Sequence, residues 1–144
     1  MASFEEILDT QVTEVKMPPP LPVGMYLTIV DGLPTQTEVG QNQTKVVDFN
    51  LKILQPQADV SQDEINAIEG GVVGKNIRAR FFLTDSAIFM LDRFLFEHLG
   101  IELGKSRKQA IAEAPGKQVY GTIRHTPRQD GEGFYANLAS TAKV

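Results

Sequence analysis

Residues 47–53 read VDFNLKI and alternate strictly between apolar and polar side chains. The four apolar side chains share one face, and Asp48, Asn50 and Lys52 share the other. A period of two residues is typical of a β-strand with one buried face. The stretch therefore predicts a half-buried strand, which Pro56 ends.

Four more strands are predicted on either side of this one, from alternation and from β-branched and aromatic content. They cover residues 24–30, 73–83, 117–125 and 133–139, and the last two flank a turn that contains Asp130-Gly131. The polar run from residue 35 to residue 44 is expected to be a loop. Residues 47–53 are then the second of five strands.

Helix signals fall between and before these strands. Serines at positions 3, 61 and 106 are placed to cap short helices, and the first two begin capping boxes that end in glutamate. The main predicted helix covers residues 87–100, where apolar residues recur at helical spacing until a glycine ends it. The chain order is therefore strand, strand, strand, helix, strand, strand.

That order predicts a mainly β fold, namely a five-stranded OB-type barrel with a helix between strands 3 and 4 and short accessory helices. Residues 1–21 are predicted to form an acidic N-terminal arm and a proline-rich connector, because four prolines between Pro18 and Pro22 favour an extended chain. Residues 22–144 then form the OB-type domain.

Composition argues against several classes of protein. The chain has no Cys and only two His residues, so we expect no disulfide, no metal site and no cofactor. No nucleophile or nucleotide-binding pattern indicates an enzyme. No apolar run reaches the roughly 20 residues of a membrane span, and the amino terminus has no export signal, which predicts a cytoplasmic protein.

Charge is distributed unevenly along the chain, although the net charge is −4. Residues 1–64 carry ten acidic and three basic residues, whereas residues 65–144 carry eight acidic and eleven basic ones. The second half is therefore positive and is suited to face a phosphate backbone.

Binding a single strand without reading its sequence requires cations along the phosphates and flat rings for the bases. The second, third and fourth strands supply both, together with the loops that join strands one to two and four to five, the first of which includes Lys45. The predicted nucleic-acid-binding residues are Lys45, Asn50, Lys52, Lys75, Arg78, Arg80, Phe82, Tyr120, Arg124 and Arg128. In the alternative interpretation the arginines are solvated surface charges, and Phe82 and Tyr120 pack into the core.

Several blocks resemble a family of small phage single-stranded DNA-binding proteins over about residues 20–140. The blocks are Pro22-Val23-Gly24-Met25-Tyr26, residues 47–53, Gly74-Lys75 leading into Arg80-Phe81-Phe82-Leu83-Thr84, residues 87–100, and Gly116-Lys117-Gln118-Val119-Tyr120-Gly121. The resemblance implies an OB fold that binds single-stranded DNA during phage DNA replication or recombination in the host cytoplasm. Many such proteins end in an acidic tail, which this chain lacks; the acidic N-terminal arm is the alternative contact for replication or recombination proteins.

A second function stays open at this point. The same β-barrel would serve as a non-catalytic structural or protein–protein interaction module, and the net acidity of the chain favours that alternative. A homodimer formed through an edge strand is compatible with either function.

Overall fold

A computed structural model describes residues 3–9, 11–12, 19–129, 131 and 133–144. Most of the predicted arm and connector between residues 10 and 18 lies outside these residues, as does Asp130 of the predicted turn. In chain order the elements are α1 (Phe4–Asp9), β1 (Gly24–Val30), β2 (Thr35–Val39), β3 (Thr44–Pro56), α2 (Gln62–Asn66), β4 (Asn76–Phe82), α3 (Ile88–Asp92), a π-helix (Arg93–His98), α4 (Arg107–Glu113), β5 (Gln118–Pro127) and β6 (Phe134–Lys143). None of the described helices has the length and apolar character needed to cross a bilayer.

The six strands form one open antiparallel sheet, which confirms the predicted mainly β class. Neighbouring strands follow the order β2-β3-β1-β5-β6, and β4 also pairs with β3. β1 partners residues 51–56 of β3 and β2 partners residues 44–48, whereas β4 partners residues 46–52. β1 and β2 therefore follow one another along one edge of β3, and β4 occupies the other edge. Between β4 and β6, both fully described, no ladder closes the sheet.

The predicted loop at residues 35–44 is wrong in its first half, because β2 lies there. β2 reads TQTEV, and all of its residues except Val39 are exposed. A strand with two solvated faces has no apolar alternation, so its pattern resembles that of a loop. Gly40 and Gln43, both at positive φ, turn the chain from β2 into β3. Lys45 consequently belongs to a strand and not to the loop in which it was predicted.

The core lies between the inner face of the sheet and the helical segment after β4. Phe49 of β3 and Phe94 of the π-helix are fully buried, and their ring centroids are 5.1 Å apart. Phe81 of β4 completes the cluster, at 5.9 Å from Phe49 and 4.9 Å from Phe94. Edge-to-face and offset rings at these distances are favourable beyond the area they bury. This cluster fixes the helical segment against β3 and β4.

The main helix was predicted as one regular helix to Gly100, and it is regular only to Asp92. From Arg93 to His98 it widens into a π-helix, in which the N–H of Leu99 donates to the carbonyl of Phe94 at 2.8 Å. Phe94 and Leu95 are both completely buried. A run of apolar residues at helical spacing does not reveal this widening, because it keeps the buried face buried.

The segment before β1 is fixed to the sheet by two hydrogen bonds. The hydroxyl of Tyr26 donates to the carbonyl of Pro22 at 2.6 Å, and Nε2 of His125 lies 2.6 Å from the carbonyl of Leu21. Burial, with smaller contributions from the acidic residues Glu64 and Asp59, raises the pKa of Tyr26 to about 12. Tyr26 is therefore a neutral core residue that anchors the start of the domain.

Candidate nucleic-acid interface

The outer face of β3 and β4 collects five of the predicted residues, and we name it the cationic face: Asn50, Lys52, Arg78, Arg80 and Phe82. In the antiparallel register Asn50 is opposite Arg78, and Lys52 is opposite Asn76. Residues between them in sequence, such as Ile77 and Ala79, are buried. The alternation predicted for these strands therefore agrees with the burial pattern, and these side chains share one face along the β3–β4 ladder, with Lys52 near one end and Phe82 at the other.

Arg80 lies on the same face, but Asp48 directly opposite holds its guanidinium. Nε and Nη2 of Arg80 donate to the two carboxylate oxygens of Asp48 at 2.8 and 2.9 Å. The hydrogen bond from Arg80 holds the pKa of Asp48 below its ordinary value, so the pair is charged at neutral pH. The prediction treated Arg80 as equivalent to Arg78. The two arginines differ because the carboxylate of Asp48, 32 residues earlier in the chain, already accepts hydrogen bonds from two guanidinium nitrogens of Arg80.

Arg78, by contrast, makes no ion pair with any residue that the structure describes. It is exposed, and so are Lys52 in the next strand, Lys45 at the start of β3 and Lys75 just before β4. Asn50 is half-buried, and its amide donates to Asp31 at 3.4 Å. Arg78 and Lys52 are therefore the free cations on this face. Lys45, at an odd-numbered position of β3, lies on the side of the buried Val47, and Lys75 lies beside Pro19 and Leu21.

Phe82 is 42% exposed, while its neighbour Phe81 turns into the aromatic core cluster. The alternative interpretation, in which Phe82 is a core residue, does not fit this exposure. A large apolar ring left in solvent beside cations is the arrangement that base stacking requires.

The remaining predicted residues lie on β5 and its hairpin, on the far side of β1. Tyr120 is half-buried opposite Leu27, and Arg124 is exposed opposite Asn137 of β6. The outward side chains of β1, including Leu27 and Ile29, are apolar and half-buried. The structure therefore separates the predicted residues into two groups, with an apolar strip between them.

The hairpin between β5 and β6 carries two aromatic residues that the sequence reasoning missed, and we name this group the aromatic tip. Phe134 is 52% exposed and stacks on His125, with centroids 5.8 Å apart and planes 20° apart. Tyr135 is 50% exposed, and the guanidinium carbon of Arg128 lies 4.9 Å from its ring centre. Two adjacent aromatics directly after the turn were the available signal, because adjacent strand residues face opposite sides and cannot both be buried in a one-sided sheet.

No group of three or more His, Asp or Glu side chains in the described part of the chain could hold a metal ion. His98 lies on the π-helix, with Nδ1 2.6 Å from Oγ1 of Thr141 in β6. Burial, reinforced by the nearby Arg93, lowers the pKa of His98, so it is neutral at pH 7.

No model of a known protein family matches this chain, and no curated protein matches it either.

Proposed function

We propose that this chain is a non-catalytic protein that binds single-stranded DNA without sequence preference. The observation that carries the proposal is the cationic face, where the unpaired Arg78 and Lys52 share the outer face of β3 and β4 with the exposed ring of Phe82. Cations that follow phosphates and rings that stack bases are the two requirements for sequence-tolerant binding of single strands.

The proposed architecture is an OB-type barrel in which β2 is an extra hairpin strand. Without β2, the remaining strands follow the order β4-β3-β1-β5-β6, with the helical segment inserted between β4 and β5. OB barrels are five-stranded and partly open, and they present their second and third strands to oligonucleotides. Here those strands are β3 and β4, which carry the cationic face.

The aromatic tip extends the proposed interface to the other end of the sheet. It belongs to the hairpin that joins the last two strands, one of the two loops that flank the binding face of an OB fold. Arg124 of β5, with no ion pair to a described residue, adds a cation on that side. A strand bound from the cationic face to the aromatic tip would cross the apolar strip of β1.

The biological setting that we propose is phage DNA replication or recombination in the host cytoplasm, on the strength of the sequence resemblance. α1 supports a contact with a protein partner of those processes. Phe4, Ile7 and Leu8 are 85%, 60% and 79% exposed, and Glu5 and Asp9 flank them. An acidic helix with an exposed apolar stripe is typical of a segment that docks in a groove of another protein.

The experiment is a titration of the full chain with a fluorescein-labelled thymidine oligonucleotide, followed by fluorescence anisotropy at several salt concentrations. Each phosphate contact on a single strand contributes a slope of about −0.7 in log affinity against log salt. Five free cations, namely Lys45, Lys52, Lys75, Arg78 and Arg124, give a slope of about −3.5. Lys108→Gln, on the exposed side of α4, is the matched control and should leave the slope unchanged. Absence of binding at low salt for several oligonucleotide lengths would leave the interaction-module alternative.

A further inference from the structure

A groove separates the two strands at the ends of the sheet, β4 and β6, and we name it the seam groove. It has a volume of about 410 Å³ and is lined by residues 78–82 of β4, residues 137–141 of β6, and Ala87, Met90, Arg93 and His98 of the helical segment. Pockets of about 300 to 1,000 Å³ are the usual size of small-molecule sites. The seam groove is therefore large enough for one small ligand group.

The backbone edge of β4 faces this groove with unused hydrogen-bonding groups. The N–H of Ile53 donates to the carbonyl of Lys75 at 2.8 Å, and the N–H of Leu83 donates to the carbonyl of Lys45 at 2.9 Å. Because peptide groups in an antiparallel strand alternate between its two edges, the odd-numbered residues of β4 bond to β3. The peptide groups of Arg78, Arg80 and Phe82 consequently point toward the groove.

The π-helix brings two polar side chains to the floor of the groove. Arg93 and His98 are five residues apart, a spacing that an ordinary α-helix would place about 140° apart. In a π-helix the hydrogen bond joins residues five apart, so the two positions lie nearly above one another. Both line the groove, and the contact between His98 and Thr141 holds the helix against β6.

The charge of the lining is one-sided. Arg78, Arg80 and Arg93 all contribute to it, and no Asp or Glu is among the described residues that line the groove. Asp48 neutralises Arg80, and Glu97 contacts Arg93 at 3.3 Å with both side chains more than half exposed, so that pair is weak. An anionic group entering the groove therefore meets Arg78 and Arg93 without a carboxylate among the lining side chains.

The same groove offers apolar surface beside these cations. Phe82 is 42% exposed and Met90 is 48% exposed, at the edge where β4 meets α3. An aromatic ring and a thioether are surfaces on which a nucleobase packs well. Cations on one side and an apolar wall on the other match the two halves of a nucleotide.

We infer that the seam groove holds one nucleotide of the bound strand, with the base against Phe82 and Met90 and the phosphate between Arg78 and Arg93. The inference rests on the proposed function and adds to it a site between two strand edges. An added peptide strand would also use the free edge of β4. The cationic lining without a carboxylate favours the nucleotide, because only an acidic peptide would gain from it.

The test changes the charge of the groove at one exposed position in the full chain. Met90→Glu places a carboxylate beside the phosphate and should weaken binding of the labelled thymidine oligonucleotide about tenfold at low salt. Met90→Lys removes the same thioether but adds a positive charge, so it should bind the oligonucleotide more tightly than Met90→Glu does. Leu103→Glu, which adds the same charge at a side chain 78% exposed and outside the groove, should change affinity less than about twofold.

The outcomes separate this inference from the function on which it rests. If the wild type binds and Met90→Glu binds equally well, the seam groove does not hold a nucleotide, and the cationic face remains the interface. If Glu and Lys at position 90 weaken binding equally, the phosphate position is refuted. If the wild type itself does not bind, the proposed function fails. Melting curves of the three variants verify that each one is folded.

Discussion

Asp48→Asn should strengthen binding of single-stranded DNA and make it more sensitive to salt. Asp48 accepts hydrogen bonds from Arg80 at 2.8 and 2.9 Å, and its side chain is only 14% exposed. Asparagine has nearly the same volume but no charge, so the guanidinium of Arg80 keeps its place on the outer face and loses its counter-ion. Arg80 then becomes available to a phosphate.

The size of the effect follows from the number of contacts. With five contacts at about 0.7 each, raising the salt from about 50 to about 200 mM should weaken binding of the wild type roughly 130-fold. A sixth contact should increase that factor to roughly 340-fold. The additional factor of about 2.6 is within the resolution of an anisotropy titration at three or four salt concentrations.

Asp92→Asn is the matched control. The two carboxylate oxygens of Asp92 accept hydrogen bonds from Nε and Nη2 of Arg107 at 2.7 and 2.8 Å, away from the cationic face. This variant should release a cation of equal charge and leave the salt slope at the wild-type value. An unchanged slope in Asp48→Asn, or an equal increase in both variants, would refute the assignment of the outer face of β3 and β4 to phosphate binding.

Three further predictions concern the aromatic pair, the histidine and the arm. Phe82→Ala should weaken DNA binding by about 1 to 3 kcal/mol and leave the salt slope and the melting temperature unchanged. Phe81→Ala should instead destabilise the fold by about 3 kcal/mol, and an equal loss of stability in the two variants would make Phe82 a core residue. Lowering the pH through about 6.5 should lower the melting temperature, because burial lowers the folded-state pKa of His98 and the unfolded chain therefore takes up the proton first. In His98→Gln the melting temperature should depend less on pH, and an equal dependence in the wild type and the variant would contradict this role of His98. Deletion of residues 1–16 should leave the melting temperature unchanged and tighten DNA binding at low salt only, if the acidic arm competes for the cationic face; equal affinity at every salt concentration would reject the competition.

The sequence predicts the strands with one buried face and misses the strand with none. In residues 47–53 each apolar side chain faces the core, so the period of two is visible along the chain. In β2, hydrogen bonds to β3 hold the strand and no side chain is buried, so the pattern carries no trace of it. The alternation of apolar and polar residues shows which side chains are buried, whereas a strand held only by backbone hydrogen bonds leaves no such pattern in the sequence.

The sequence predicts the face of the sheet on which a candidate residue lies, but not the residue with which it forms an ion pair. The alternation along β4 correctly separates Arg78 and Phe82 from the buried Ile77. It cannot show that Arg80 meets Asp48, because that pairing depends on the register between two strands far apart in sequence. Counting cations along a chain therefore overestimates those available to a ligand.

The π-helix also bears on how relatives of this chain would be aligned. A step of five residues in a π-helix and a step of four in an α-helix both return to the same face. A homologue with an ordinary helix here would keep Arg93 and His98 equivalents over the groove only by having one residue fewer between them. A one-residue gap at this point would therefore mark preserved geometry, whereas an ungapped alignment with an α-helical homologue would pair residues from different faces.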